Sequence, residues 1–92
     1  MYTFLIPAFN EEKRIRSTLS AITSAFPNNE CLVVFDGNDH TPDVVSTFSG
    51  VKLITYDKRL GKGKAIMEGF KCLNSKSIIV LIDADLPVML LT

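Results

Sequence analysis

Four short apolar runs, each followed by a polar loop, constrain the fold of this chain most strongly. The runs are Tyr2–Ile6, Cys31–Phe35, Val51–Tyr56 and Ser77–Ile82. Their length and their β-branched and aromatic content predict strands. Three of them lack polar alternation, which is typical of strands buried on both faces of a parallel sheet. Val51–Tyr56 alternates in part and is predicted near a sheet edge, whereas Ser77–Ile82 is the most hydrophobic and is predicted to be buried.

The segment after the first strand predicts an amphipathic helix. Its apolar side chains recur at helical spacing and form one stripe: Ile15, Leu19, Ile22 and Phe26. Asn10 is the predicted N-cap. Glu11 and Glu12 would then lie in the first turn, where acids favour the helix dipole.

Two further helices separate the remaining strands. Thr41 can cap a short helix that carries Pro42 at its first position and extends to about Phe48. The apolar positions of the other helix are Ala65, Ile66, Gly69, Phe70 and Leu73. The order β-α-β-α-β-α-β, with right-handed crossovers, predicts a single α/β domain over residues 1–92. This domain would be a Rossmann-like, doubly wound, mostly parallel sheet in three α/β/α layers.

Composition narrows the class of protein only modestly. Ten basic and ten acidic residues leave no net charge, which argues against a nucleic-acid partner. Cys31 and Cys72 show no metal-binding spacing and are predicted to be small, buried apolar residues in a reducing compartment. No charged n-region precedes an apolar stretch, and no run approaches about 20 apolar residues, so we expect a cytoplasmic, soluble chain without a signal peptide.

Polar residues follow every predicted strand. Ligands of doubly wound sheets bind at the carboxyl ends of the strands. Those ends carry Pro7–Asn10, Asp36–Asp39, Asp57–Arg59 and Asp83–Asp85. We therefore expect a binding site along this rim.

Asp83 and Asp85 flank Ala84 directly after the fourth strand. Carboxylate oxygens suit Mg²⁺ or Mn²⁺, and magnesium sites often combine one or two carboxylates with substrate phosphates. The alternative is that these acids only solvate a strand end, and Asp-x-Asp alone is a weak motif. Its position on the rim favours the metal site.

A basic, glycine-containing loop, Lys58–Lys64, opens the third helix. Its backbone amides and the helix N-terminus could approach a phosphate, although such runs are more often solvated turns. The loop is not a Walker A motif. No Gly-x-Gly-x-x-Gly follows the first strand, which disfavours a dinucleotide site.

Three other rim residues each allow two interpretations. Asp36 could accept hydrogen bonds from a base or simply end its strand. Phe9 could stack on a nucleobase or pack against the first helix as part of the core. His40 is interpreted as a surface loop histidine.

Taken together, these segments resemble family 2 of the GT-A glycosyltransferases, most closely its dolichyl-phosphate mannose or glucose synthase branch. The matching segments are Ile6–Glu12, Asp36–Thr41, Arg59–Ala65, Glu68–Phe70 and Asp83–Leu86. The resemblance spans essentially all 92 residues and keeps the family's order of motifs. Five coincident segments are far more specific than any one of them.

The resemblance implies a nucleotide-sugar site. The residues it assigns to the base and ribose are Pro7, Phe9, Glu11, Val34 (through its backbone) and Asp36. Phe9 replaces the family's tyrosine, and Phe35 stands where the family has the first aspartate of a pair. This departure leaves UDP and GDP both open.

The same resemblance places Arg59 and Lys62 near the diphosphate or the donor sugar. Asp83 and Asp85 would hold Mg²⁺ or Mn²⁺, and Ala84 would touch the nucleotide. The implied reaction is an inverting, metal-dependent transfer from a UDP- or GDP-sugar, with a polyprenyl phosphate as one candidate acceptor.

Other functions remain in competition. A non-catalytic nucleotide-binding or interaction module derived from a glycosyltransferase is the alternative. A sugar nucleotidyltransferase would need a Gly-rich, basic loop after the first strand, which Pro7–Glu12 does not provide.

The chain ends inside an apolar segment, Leu86–Thr92. We therefore expect it to be the N-terminal, nucleotide-sugar-binding part of a longer enzyme and to have little activity alone. The general base is expected beyond Thr92. The shortened chain is expected to form a homodimer, and the full-length protein to lie at the cytoplasmic face of a membrane.

Overall fold

A computed structural model describes residues 2–73 and 78–85 and contains one all-parallel sheet. Its strands are β1 (Tyr2–Ala8), β2 (Glu30–Phe35), β3 (Val51–Thr55) and β4 (Ile78–Leu81), in the order β3-β2-β1-β4. The helices are α1 (Ile15–Ala25), α2 (Thr41–Val45) and α3 (Lys62–Cys72). The predicted α/β class and the order of elements are confirmed.

The first strand lies at the centre of the sheet, between β2 and β4. Phe4 is opposite Cys31 of β2 on one side and Val80 of β4 on the other. Because strand side chains alternate between faces, β1 contributes to two separate cores. Both cores are thus built around the same strand.

Helices cover the two faces of the sheet unequally. On one face, α1 and α2 bury Ile15, Leu19, Ile22 and Val45 against alternate β1 and β2 side chains. On the other face, Ala65 of α3 packs in a smaller cluster with Leu5, Leu32 and Val34. The predicted three-layer arrangement is confirmed.

The fourth strand differs from its prediction. Ile78 is 62% exposed and Leu81 is 51% exposed, so β4 is not buried. Within the described ranges its one neighbour is β1, which makes it an edge strand like β3. Ser77, the predicted first residue of this strand, and the segment Leu86–Thr92 lie outside the described residues.

The start of α1 also differs from its prediction. The helix begins at Ile15, and Arg14 rather than Asn10 occupies the N-cap position. Asn10 instead has a positive φ of 52°, a conformation that asparagine tolerates better than most residues. The Asn10 side chain therefore serves a loop and not the helix.

The short helix α2 ends at Val45, before the predicted Phe48, and Thr41 is its first residue rather than its cap. The Thr41 amide donates to Asp39 Oδ1 over 3.0 Å. The aspartate thus supplies the capping oxygen that had been expected of the threonine.

The apolar stripe predicted for α3 is only partly buried. Ala65 and Gly69 are buried, whereas Phe70 is 41% exposed. Cys72 at the end of this helix is also exposed, so its predicted burial is wrong, whereas Cys31 is buried as predicted. Gly69 permits a close approach, because a Cβ there would lie within 2.5 Å of Leu5 Cδ1. No helix in the described part of the chain is long and apolar enough to span a membrane.

Candidate functional site

A cavity of about 400 Å³ lies at the carboxyl ends of β1, β2 and β4. Its lining residues are Pro7, Ala8, Phe9, Glu11, Asp36, Arg59, Lys62, Ala65, Asp83, Ala84 and Asp85. Eight of the nine residues predicted to bind the nucleotide sugar, together with Asp85, thus meet around one space, as expected for the rim of a parallel sheet. Val34 differs: its side chain is fully buried in the core beside α3, and its backbone contact stays a prediction.

An aromatic and a cationic side chain stack on one wall of the cavity. The Arg59 guanidinium carbon lies 3.6 Å from the centroid of the Phe9 ring, a cation–π arrangement. Phe9 is 39% exposed, so it does not belong to the core against α1. Of its two interpretations, packing as a core residue is wrong, and stacking on a base stays a prediction.

The buried carboxylate of Asp36 holds the basic loop. Asp36 is only 5% exposed, and its Oδ2 accepts hydrogen bonds from the Leu60 amide over 2.7 Å and the Gly61 amide over 3.0 Å. Gly61 has a φ of +85°, which glycine adopts without strain. Asp36 therefore fixes the backbone between Arg59 and Lys62, a role that neither sequence interpretation included.

Asn10 connects the loops that follow β1 and β2. Its Oδ1 accepts hydrogen bonds from the amides of Asn38 (2.8 Å) and Asp39 (3.1 Å). Gly37 permits this contact, because a Cβ there would lie 2.9 Å from the Asn10 backbone nitrogen. The two loops are thereby held as one unit.

Asp39 connects these two loops to the start of α2 and to the turn before α1. Its carboxylate accepts hydrogen bonds from the Glu12 amide and from both the amide and the hydroxyl of Thr41. Burial raises the pKa of Asp39, but these hydrogen bonds together outweigh burial and leave the pKa lowered. The neighbouring His40 is exposed, as predicted, and contacts Asp43.

The acids after β4 are paired with basic side chains from two different helices. Lys62 Nζ lies 2.6 Å from Asp83 Oδ1, and Arg14 Nη1 lies 3.2 Å from Asp85 Oδ2. The hydrogen bond and the charge of Asp83 raise the pKa of Lys62. All four side chains are substantially exposed, so water and ligands can reach the carboxylates.

Glu11 lines the same cavity as Asp83 and Asp85. Burial and then the negative charge of Asp85 raise the pKa of Glu11 above its ordinary value. The Glu11 amide donates to Thr41 Oγ1 over 3.0 Å, which fixes its backbone. The cavity thus concentrates carboxylates that a bound cation would stabilise.

The loop after β4 is attached to α1 by a buried hydrogen bond. The Thr18 hydroxyl donates to the Ala84 carbonyl over 2.6 Å, and Thr18 and Ala84 are 0% and 3% exposed. Sequence reasoning missed Thr18 and Arg14, although they are one helical turn apart. Their i, i+4 spacing beside the stripe of α1 was the available signal, since such residues share a helix face.

The carboxylates at the cavity suit a metal ion that is coordinated partly by the protein and partly by a substrate. Within residues 2–73 and 78–85, no group of three or more His, Cys, Asp or Glu side chains is arranged to hold a metal. Asp83 and Asp85 nevertheless present two carboxylates to the cavity, and magnesium sites commonly use one or two with substrate phosphates. The residues fit Mg²⁺ or Mn²⁺ held jointly with a diphosphate.

Residues 3–89 match the sequence profile of Glycosyl transferase family 2. The chain belongs to this family. A Dolichyl-phosphate beta-glucosyltransferase of Trichomonas vaginalis is 33% identical over 98 residues, covering 90% of this chain. The Probable glycosyltransferase YdaM of Bacillus subtilis is 41% identical over 92 residues, covering 88% of this chain. The chain spans 28% and 22% of the length of these two relatives.

Solved structures share the fold. TarS of S. aureus superposes with a TM-score of 0.82 at 22% identity, covering 91% of this chain and 27% of TarS. Glucosyl-3-phosphoglycerate synthase from Mycobacterium tuberculosis, in complex with Mn²⁺, UDP and glucosyl-3-phosphoglycerate, gives 0.79 at 25% identity. That match covers 96% of this chain and 34% of the synthase. The predicted GT-A type of Rossmann-like sheet is confirmed.

Proposed function

We propose that this chain binds the nucleotide-sugar donor, a UDP- or GDP-sugar, of a glycosyltransferase together with Mg²⁺ or Mn²⁺. The observation that carries the proposal is the cavity that Pro7, Asp36 and Asp83 line at the strand ends. It combines an aromatic face, two cationic side chains and two accessible carboxylates. These groups match the base, the diphosphate and the metal ion of such a donor.

One wall of the cavity suits the nucleoside. Phe9 offers a ring face for the base, and Pro7 and Glu11 lie beside it as contacts for base and ribose. Because Asp36 Oδ2 is engaged by two loop amides, Asp36 would meet the base through its other carboxylate oxygen. The backbone of Val34 would complete this part of the site.

The part of the cavity around Arg59 and Lys62 suits the diphosphate. Lys62 lies in the first turn of α3, where the helix dipole also favours an anion, and Arg59 projects from the preceding loop. Asp83 and Asp85 would hold the ion while Ala84 touches the nucleotide. When bound, the ion supplies positive charge that stabilises the departing diphosphate.

The relatives support a wider role for the longer protein. The Dolichyl-phosphate beta-glucosyltransferase of Trichomonas vaginalis supports a dolichyl- or other polyprenyl-phosphate acceptor, which would place the enzyme at a membrane face. The complex of the Mycobacterium tuberculosis synthase supports UDP and Mn²⁺ as first probes. We assign only donor binding to these 92 residues. Inverting transfer, and a general base beyond Thr92, are proposed for the longer protein.

Calorimetry tests the proposal directly. UDP and GDP are titrated into the chain with and without Mn²⁺, and we expect weak nucleotide binding that Mn²⁺ strengthens. Asp85→Ala should remove the effect of Mn²⁺ without unfolding the chain, because Asp85 is an exposed side chain at the cavity. Absence of nucleotide binding in both conditions contradicts the proposal.

Asp57→Ala is the matched control for this experiment. Asp57 is an exposed aspartate that follows β3 on the same rim but does not line the cavity. The Asp57→Ala substitution should leave the strengthening of nucleotide binding by Mn²⁺ unchanged. If Asp85→Ala unfolds the chain while Asp57→Ala does not, Asp85 has a structural role instead.

A further inference from the structure

A threonine inside α1 contacts the backbone of the proposed metal-binding loop. Thr18 is completely buried, and its hydroxyl donates to the Ala84 carbonyl over 2.6 Å, across 66 residues of sequence. Ala84 is the central residue of Asp83-Ala84-Asp85 and is itself 3% exposed. The hydrogen bond therefore fixes the peptide between the two aspartates.

Thr18 of α1 and Arg14, the residue directly before this helix, both contact the loop, and their contacts differ in strength. The Arg14–Asp85 ion pair is exposed to solvent, and pairs of that kind contribute little to holding a conformation. The Thr18 hydrogen bond is buried, so losing it leaves the Ala84 carbonyl without this donor in an apolar setting. Thr18 is thus the contact that can fix the direction of the loop.

From this geometry we propose that Thr18 is a positioning residue that holds Asp83 and Asp85 in the orientation needed to bind a divalent cation. This inference rests on the proposed donor site. Thr18 touches neither metal nor nucleotide and acts through the Ala84 carbonyl. Residues that orient metal ligands in this indirect way commonly change metal affinity by about ten- to a hundred-fold when they are removed.

The test compares Thr18→Val with Thr18→Ser. Valine keeps the shape of the side chain and removes its donor, whereas serine keeps the donor. UDP affinity is measured by calorimetry with and without Mn²⁺, after urea unfolding has shown that each variant is folded. We expect Thr18→Val to reduce the enhancement by Mn²⁺ about ten- to a hundred-fold and to leave UDP affinity without metal unchanged. Thr18→Ser should restore the enhancement.

Thr23→Val is the matched control. Thr23 lies on the same helix, but its hydroxyl donates to the Leu19 carbonyl of α1 itself. The same substitution there should leave the Mn²⁺ enhancement unchanged. The inference is overturned if Thr18→Val keeps the wild-type enhancement, or if Thr23→Val loses as much.

A second readout separates this inference from the proposed function. Amide hydrogen exchange of Ile82, which donates to the Leu5 carbonyl directly before the loop, is compared in the wild type, Thr18→Val and Thr23→Val without any ligand. Faster exchange in Thr18→Val alone supports the positioning role, and unchanged exchange overturns it. If the wild type binds no nucleotide, the proposed function fails, and the exchange experiment still decides whether Thr18 holds the loop.

Discussion

The carboxylates that follow β2 and β4 lie on the same rim of the sheet but are held in different ways. After β2, the buried Asp36 accepts hydrogen bonds from the backbone amides of Leu60 and Gly61. After β4, Asp83 and Asp85 pair with the ends of long, exposed side chains. The first arrangement fixes loops in place, whereas the second can exchange its partners for a ligand.

The difference shows which acids belong to the framework and which belong to the binding surface. Removing a buried acceptor leaves amides unsatisfied in a low-dielectric setting, which is costly. Removing one member of an exposed ion pair leaves a charge that water solvates, which costs little. We therefore expect substitutions at the β2 end to lower stability strongly, and those at the β4 end to weaken binding with little loss of stability.

The largest expected effect on stability is that of Asp36→Ala. The substitution removes the acceptor of two backbone amides, and we expect the free energy of unfolding to fall by about 3 kcal/mol. Asp36→Asn keeps one acceptor oxygen, so its free energy of unfolding should fall by less. Urea unfolding followed by circular dichroism measures both variants. The comparison fails if Asp36→Ala is as stable as the wild type.

Gly37→Ala should have the next largest effect. Its Cβ would lie 2.9 Å from the Asn10 backbone nitrogen, so the loops after β1 and β2 must separate. We expect the free energy of unfolding to fall by about 2 kcal/mol. Gly50→Ala is the control, since a Cβ there meets no atom within 4 Å. Equal losses in the two variants would mean that the Asn10 contact is unimportant.

A smaller effect should appear as a pH dependence that arises from Asp39. Its pKa is lowered in the folded chain, so the unfolded chain binds the proton first as the pH falls. The stabilisation is therefore complete above the unfolded pKa of about 3.9 and is lost as the pH falls through the folded pKa. The stability advantage of the wild type over Asp39→Asn should therefore shrink as the pH falls below the unfolded pKa of about 3.9. Asp57→Asn is the control, and the difference in stability between it and the wild type should not change with pH. The assignment to Asp39 is contradicted if the difference between the wild type and Asp39→Asn is independent of pH, or if the control shows the same pH dependence.

The smallest expected effect on stability is that of Lys62→Gln. Its ion pair with Asp83 is exposed, so the unfolding midpoint should not change measurably. UDP affinity should nevertheless fall by about tenfold, because a charge-assisted phosphate contact is lost. Lys64→Gln, an exposed lysine of the same helix that does not line the cavity, should leave the affinity unchanged. Unfolding by Lys62→Gln would show that the β4 end also belongs to the framework.

The sheet was largely predictable from the sequence, because apolar periodicity reflects burial directly. The runs at β1 and β2 and the stripe of α1 each specify the faces that they bury. The hydrophobic run of β4 was misleading, because apolar content does not show whether a neighbouring strand is present. Its position at the sheet edge follows from topology.

The site was predictable as a set of residues but not as a set of contacts. Motif spacing identified the residues that line the cavity. Spacing could not show that Asn10 contacts the loop after β2 instead of capping α1, or that Asp36 holds the basic loop. Thr18 was missed for the same reason, since a buried hydroxyl on a helix signals nothing until its distant partner is known.

The strand register also implies an order of assembly. Thr3 of β1 pairs with Glu30 of β2 on one side and with Ile79 of β4 on the other. Because β2 is much nearer to β1 in sequence than β4 is, the β1–β2 pairing can form well before the β1–β4 pairing. Parallel pairings between residues far apart in sequence form slowly. The loop that carries Asp83 and Asp85 follows β4 directly, so it is placed only when that last, long-range pairing closes. Native-like secondary structure should therefore precede the ability to bind a cation during refolding.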